Sequence, residues 1–162
     1  MSEAQDEIVA IFFDEVEAFL TTLSEGLLRL EVDHKAGKTD ADQVNLVFRA
    51  LHSIKGASGM LGFDRINKLT HKTEALLDGV RSSHFQLSSE VIQGLFEAID
   101  ALNILLNELK SGEEQLEIEP ILAHLEELIS VSKSAVTGAQ PQVVQGGAFD
   151  RPSAAFESEL QK

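Results

Sequence analysis

The chain has 162 residues, no cysteine, and 27 acidic against 13 basic residues, for a formal net charge of −14. The lack of cysteine excludes disulfides, thiolate catalysis and cysteine-ligated metal sites, and the strong acidity disfavours nucleic acid and anionic membranes as partners. No apolar run approaches the roughly 20 residues that span a bilayer, and the first residues are acidic, unlike a secretory leader. We therefore expect no membrane insertion and a cytoplasmic location.

The first 119 residues contain no proline, so they can form long uninterrupted helices. In the first segment, apolar residues recur every three or four positions, which predicts a helix with one apolar face. This face comprises Ile8, Phe12, Val16, Phe19, Leu23, Leu27 and Leu30. We expect the helix to begin at or just after Ser2 and to end at the basic, glycine-containing segment 35–38.

Four more helices follow, and strand signals are nearly absent. The second helix is predicted to begin after Asp40 and to end at Gly62, and the third covers about residues 64–81. The fourth begins after a serine cap at Ser88 or Ser89 and ends near residues 111–112. A shorter fifth helix follows Pro120. The predicted fold class is all-α, an antiparallel up-down four-helix bundle with an appended fifth helix.

The composition changes near residue 133. From there onward Ala, Ser, Gly, Gln and Pro dominate and no periodic apolar face remains. We therefore predict a helical domain over residues 1–132 and a flexible tail or interdomain linker over residues 133–162.

The second helix carries the first candidate site. At about 100° per residue, Lys55, Gly56 and Gly59 fall on the same side as His52, away from the apolar stripe. Two glycines inside a helix cost about 1 kcal/mol each relative to alanine, so a reason for them is expected. One reason is a tight contact with a neighbouring helix, and the other is bare backbone that a partner approaches. The exposed histidine and lysine favour a docking surface.

The third helix carries a polar stripe at steps of three and four, formed by Asn67, His71, Glu74 and Asp78. If the second and third helices are antiparallel neighbours, Glu74 can lie near His52. A carboxylate that accepts the proton of one imidazole nitrogen leaves the lone pair of the other nitrogen free, which suits a nucleophilic histidine. A merely solvated polar face is the simpler interpretation of this stripe.

The charge distribution supports the nucleophile. Residues 49–81 contain six Lys and Arg against three Asp and Glu, a net charge of +3, although the whole chain is at −14. Positive charge is therefore concentrated in the two helices around His52, where a phosphoryl group would need it.

The segment Phe48-Arg49-Ala50-Leu51-His52-Ser53-Ile54-Lys55-Gly56-Ala57-Ser58-Gly59 resembles the phosphorylation motif of histidine-containing phosphotransfer (Hpt) domains. More narrowly, it is similar to the P1 domain of CheA-type chemotaxis histidine kinases. The segment Leu69-Thr70-His71-Lys72-Thr73-Glu74, which begins 17 residues after His52, matches the same subtype. The resemblance covers about residues 5–130.

The resemblance implies a five-helix domain in which His52 is phosphorylated. Lys55, His71 and Glu74 would form the supporting network, and Phe48, Gly56 and Gly59 would belong to the surface that docks partners. The implied partners are the ATP-binding domain of a histidine kinase and a CheY-like response regulator whose aspartate takes the phosphoryl group. ATP on the kinase domain and Mg²⁺ on the regulator would act in trans, and the domain itself would bind no cofactor or metal.

Whether this chain is an enzyme by itself stays open, because the glycines at 56 and 59 belong to a helical segment, do not follow a strand and lack the spacing of a nucleotide-binding loop. Two other classes are also open. His71 and Glu74, one turn apart, could ligate a metal in a helical-bundle enzyme, although such sites need several pairs of ligands. The chain could also be a helical adaptor that docks a response regulator without phosphotransfer.

Overall fold

The computed structural model describes residues 2–139, and within this range the chain forms helices and no strands. In chain order the helices are α1 (Glu3–Lys35), α2 (Ala41–Leu61), α3 (Asp64–Arg81), α4 (Ser89–Ser111) and α5 (Glu119–Ala139). The predicted all-α class is confirmed.

Side-chain caps and glycines fix the ends of the helices close to where the sequence places them. The side chains of Ser2, Asp40 and Ser88 each accept a hydrogen bond from a backbone N–H in the first turn of the following helix. Gly62 and Gly112 end α2 and α4 with φ angles of 77° and 81°. A residue with a side chain adopts this left-handed conformation at a cost, so these glycines stop the helices.

The first four helices form a closed ring of neighbours. Helix α1 packs against α2 and α4, and α3 packs against the same two helices from the other side. The connections between consecutive helices have two to seven residues, which makes the neighbours antiparallel. The centre is filled by branched apolar side chains that are almost fully buried, among them Leu23, Leu27, Leu30, Leu51, Ile54, Leu69, Leu76, Leu77, Leu95 and Leu105.

Helix α5 begins within the compact unit that ends at Ile129. The first part of α5 lies against α4, where Leu128 comes close to Gly94, and against α3, where Lys72 Nζ is 2.5 Å from Glu126 Oε1. The helix continues to Ala139, so residues 133–139 of the predicted tail are helical. Residues 132–136 contain no proline or glycine, and nothing in their backbone ends the helix. Residues 140–162 of the predicted tail lie outside the described residues.

The apolar face of α1 differs from the prediction at two positions. Ile8 is 50% exposed, and Leu20 is buried in place of Phe19, which is partly exposed. The Phe12 ring packs 4.9 Å from that of Phe63 in the α2–α3 connection, so Ile8 lies one turn beyond the end of the bundle. Residues 19 and 20 both fit a helical repeat, and only the packing of neighbouring helices selects between them.

Candidate functional site

His52 lies near the middle of α2 on its outward side. The neighbouring Leu51 and Ile54 are fully buried, and they hold the helix so that the His52 side chain remains 64% exposed. The predicted orientation of this histidine away from the core is therefore the one found.

A carboxylate from α3 holds one edge of this imidazole. Glu74 Oε2 lies 2.7 Å from His52 Nδ1, and the other carboxylate oxygen lies 2.6 Å from Lys55 Nζ. Because a carboxylate accepts hydrogen bonds, Nδ1 carries the proton and the lone pair is on Nε2. The Glu74 side chain is only 12% exposed, so this acceptor is held in place by packing. The site thus holds the Nδ1 edge of the imidazole and leaves Nε2 directed away from the carboxylate partner.

The antiparallel register of α2 and α3 explains this contact. Three positions on α2 each face a position on α3. Along α2, the second is about two turns from the first and the third is about one turn further. Gly59 lies against Asn67, His52 against Glu74, and Phe48 against the last turn of α3. The sequence is consistent with α2 and α3 being antiparallel neighbours. Only the structure shows which residues of the two helices lie opposite each other.

The two glycines beside His52 have different surroundings. A Cβ atom at Gly56 would meet nothing within 4 Å, whereas one at Gly59 would lie 3.0 Å from Asn67 Nδ2. The Asn67 amide donates a hydrogen bond to the Lys55 carbonyl at 2.9 Å, and this close approach across α2 favours the small residue at position 59. Gly59 thus makes the helix–helix contact of the first interpretation, and Gly56 leaves open backbone next to His52, where docking of a partner stays a prediction.

Of the three predicted network residues, His71 is the one that makes no hydrogen bond or ion pair with His52 or with another member of the network. Its side chain is exposed, and in residues 2–136 it makes no hydrogen bond or ion pair. The nearby Lys55 ammonium contacts Glu74 instead. The described residues also contain no group of three or more His, Cys, Asp or Glu side chains that could hold a metal.

Phe48, one turn before His52, forms the side of the site away from Lys55. Its ring stacks on the imidazole with an interplanar angle of 12° and a centroid separation of 6.3 Å. The guanidinium carbon of Arg81 lies 4.1 Å from the Phe48 ring centroid. Sequence reasoning counted Arg81 only as a charge. The four-residue spacing of Phe48 and His52 was the available signal for their contact.

Most of the positive charge around the site is already paired. Four of the six cations in residues 49–81 contact carboxylates, namely Lys55, Arg65, Lys72 and Arg81. Arg49 and Lys68 are exposed and have no ion pair within the described part of the chain. Within residues 49–81, these two side chains are the cations without a carboxylate partner in the described part of the chain.

An all-α bundle that presents one exposed imidazole, oriented by a buried carboxylate and accompanied by a lysine, defines the class of helical histidine phosphotransfer domains. The model of the family described as "Hpt domain" matches residues 7–135. The chain belongs to the Hpt domain family, as its sequence motif indicated.

The relatives with similar sequences are chemotaxis proteins. The chemotaxis protein CheA of Salmonella typhimurium is 34% identical over 161 residues, which are 98% of this chain and 22% of that protein. CheA of Bacillus subtilis is 32% identical over 153 residues, covering 94% of this chain and 22% of that protein. The chain thus spans about a fifth of the length of these curated relatives.

Solved structures of the same class are also similar. The phosphorylated P1 domain of CheA3 in complex with CheY6 from R. sphaeroides has a TM-score of 0.69 at 29% identity, covering 78% of this chain and 98% of that one. The histidine phosphotransfer domain of a CheA in solution has a TM-score of 0.68 at 29% identity, covering 78% and 92%. Within the described residues, no helix combines the length and the apolar character needed to cross a bilayer.

Proposed function

We propose that His52 accepts a phosphoryl group from ATP held on the kinase domain of a CheA-type protein and donates it to an aspartate of a CheY-like response regulator. The observation that carries this proposal is the 2.7 Å contact between Glu74 Oε2 and His52 Nδ1. This contact leaves the nucleophilic lone pair on the exposed Nε2 atom.

In the first step Nε2 attacks the γ-phosphorus of ATP, and the bond from that phosphorus to the β–γ bridging oxygen breaks, releasing ADP. The imidazole then carries a phosphoryl group on Nε2 and a proton on Nδ1, so the ring becomes cationic. The Glu74 carboxylate stabilises this charge through the hydrogen bond that it already makes.

In the second step an aspartate oxygen of the regulator attacks the same phosphorus. The bond between phosphorus and Nε2 breaks, and its electron pair returns to the nitrogen, which restores the neutral imidazole. The regulator supplies the acceptor and Mg²⁺, and the kinase domain supplies ATP, so this chain contributes the carrier. Lys55, one turn from His52, offsets part of the phosphate charge.

The relatives support this assignment. They are chemotaxis proteins named CheA, and one structural neighbour is a phosphorylated P1 domain bound to CheY6. We place this chain in the same role, as the phosphotransfer part of a longer histidine kinase. Since the donor is ATP, we place it in the cytoplasm.

The proposal is tested by incubating the chain with a CheA-type kinase domain and γ-labelled ATP, followed by a purified CheY-like receiver. We expect label on the wild-type chain, its loss in His52→Gln, and transfer to the receiver. The matched control is His84→Gln, since His84 is an exposed histidine in the α3–α4 connection. Labelling that persists in His52→Gln would overturn the assignment. Receiver binding without labelling of the wild type would favour the adaptor alternative.

A further inference from the structure

We propose that Phe48, held in place by Arg81, is a positioning residue that restrains the His52 imidazole so that Nε2 faces the incoming phosphoryl group. This inference rests on the proposed phosphotransfer function, and it gives Phe48 a role within the site in addition to the docking role implied by the sequence.

The imidazole needs more than one restraint. The His52 side chain is 64% exposed, so little packing limits its rotation. The hydrogen bond to Glu74 restrains Nδ1, but rotation about the two side-chain torsions of His52 can break it and turn the ring away. A restraint on the face of the ring is required to fix the direction of Nε2, and accurate direction of a reacting atom contributes strongly to rate.

The Phe48 ring supplies that restraint. The two rings are nearly parallel, at 12°, with centroids 6.3 Å apart, within the range of offset aromatic stacking. Because Phe48 and His52 are four residues apart on α2, their side chains project from the same face of the helix. The carboxylate therefore restrains one edge of the imidazole, and the phenyl ring limits the rotations that would move Nδ1 away from the carboxylate.

Phe48 is itself held by α3. The Arg81 guanidinium carbon lies 4.1 Å from the centroid of its ring, at cation–π distance. Arg81 is in turn fixed by Asp78, whose Oδ1 accepts hydrogen bonds from Arg81 Nη2 at 2.7 Å and from Nε at 3.1 Å. The order of contacts is thus Asp78, Arg81, Phe48 and His52, and it connects the last turn of α3 to the reactive ring.

The test separates positioning from docking by changing the phosphoryl donor. Phosphoramidate is a small donor that needs no protein docking surface: Nε2 attacks its phosphorus, the P–N bond breaks and ammonia leaves. We expect Phe48→Leu to slow labelling with phosphoramidate by about 2- to 10-fold. The maximal labelling rate with saturating kinase domain should fall by the same factor. Phe48→Tyr retains the ring and should restore the rate.

The matched control is Phe96→Leu on α4, the helix across the bundle from α2. This control loses the same ring and should keep the wild-type labelling rate. If Phe48→Leu labels with phosphoramidate as fast as the wild type and only the KM for the kinase domain rises, Phe48 is a docking residue and the inference is wrong.

A second measurement is independent of phosphorylation. The ¹⁵N spectrum of His52 reports the fraction of imidazole that is protonated at Nδ1. We expect a smaller fraction in Phe48→Leu than in the wild type or Phe48→Tyr, and an unchanged fraction would contradict the inference. If the variants differ in this way but the wild-type chain accepts no phosphoryl group from either donor, the proposed function is wrong and the positioning role still holds.

The role of Arg81 is tested with Arg81→Gln, and Arg29→Gln on the exposed side of α1 serves as the charge-matched control. Arg81→Gln should lower both the phosphoramidate rate and the fraction protonated at Nδ1 in the same direction as Phe48→Leu, while Arg29→Gln changes neither. Equal values for the two arginine variants would remove Arg81 from the arrangement.

Discussion

Glu74 Oε2 on α3 lies 2.7 Å from His52 Nδ1 on α2, and this contact joins a buried carboxylate to an exposed imidazole. The acceptor is rigid because packing encloses it, and the nucleophile is accessible because it lies on the surface. The core thus orients a ring that it does not cover. This combination suits a group carrier, which must be oriented for one reaction and yet reach two different partner proteins.

The first prediction concerns this contact. Replacing Glu74 with alanine removes the acceptor that fixes the proton on Nδ1, and the free imidazole can then place the proton on Nε2. We expect phosphorylation of His52 to slow by about 10- to 100-fold, the range found when a carboxylate partner is removed from a metal-ligating histidine. The rate of labelling by a kinase domain, with the fold checked by circular dichroism, measures this effect.

Glu74→Gln is the sharper variant. Its amide has nearly the same shape as the carboxylate, and it can donate a hydrogen bond to Nδ1, which would place the proton on Nε2. We expect labelling at least as slow as in Glu74→Ala. Wild-type rates in both variants would remove Glu74 from the mechanism.

The second prediction uses the open backbone at Gly56. A Cβ at this position meets nothing within 4 Å, and alanine is favoured over glycine inside a helix by about 1 kcal/mol. Gly56→Ala should therefore raise the free energy of unfolding by about 0.5–1 kcal/mol. If a partner approaches the bare backbone beside His52, the same variant should transfer phosphate more slowly with protein partners.

Urea unfolding measures the stability of this variant, and labelling by the kinase domain and by phosphoramidate measures its reactivity. Slower labelling by the kinase domain with an unchanged phosphoramidate rate would locate the effect at the docking surface. A stabilised variant with wild-type rates for both donors would show that Gly56 has no role in docking.

Helix ends and the exposed histidine were predictable because their causes are local. Ser2, Asp40 and Ser88 cap helices through bonds to residues two or three positions away, and Gly62 ends α2 through its own backbone angle. The exposure of His52 likewise follows from the apolar stripe of its own helix. Such features need no knowledge of how the helices pack.

The parts that depend on register were beyond the sequence. His71 and Glu74 share the polar stripe of α3, and the resemblance assigned both to the site, but of the two only Glu74 contacts His52 once α2 and α3 pack. The contact of Arg81 with Phe48 also requires the register, since the two residues belong to different helices. The sequence pattern of one helix defines which face is buried. It does not define which residues of a neighbouring helix lie opposite that face.

The third prediction concerns a glycine packed under a ring. A Cβ at Gly79 would lie 2.2 Å from ring atoms of Phe85, which is 3% exposed and has no room to move aside. Gly79→Ala should lower the free energy of unfolding by about 1–3 kcal/mol, because overpacking outweighs the gain in helix propensity. Urea unfolding measures this loss.

Gly94→Ala is the matched comparison for Gly79→Ala. Its Cβ would lie 2.3 Å from Leu128 Cδ1, the far end of a flexible and partly exposed side chain that can change rotamer. We expect a smaller loss of stability than for Gly79→Ala. The reverse order would mean that the Phe85 ring is held less firmly than its burial indicates.

The last prediction concerns acid stability and the end of the bundle where α3 begins. Arg65 Nη1 donates to Glu108 Oε1 at 2.8 Å, and Glu108 Oε2 accepts the backbone N–H of Leu116 at 2.8 Å, which joins α3, α4 and the following loop. The hydrogen bond from Arg65, helped by backbone hydrogen bonds, holds the pKa of Glu108 below its ordinary value of 4.5. The folded state therefore favours the ionised carboxylate more than the unfolded chain does, so Glu108 stabilises the fold above pH 4.5.

As the pH falls from 4.5 through the lowered pKa of folded Glu108, this contribution should disappear. Glu108→Gln should thus be less stable than the wild type near neutral pH, and the difference should shrink as the solution is acidified. Urea unfolding of both proteins across this range measures it, and Glu97→Gln at the exposed Glu97–His124 pair is the control. A difference that stays constant or grows on acidification would contradict the assignment, because a group with a lowered pKa loses its stabilising effect only in that direction.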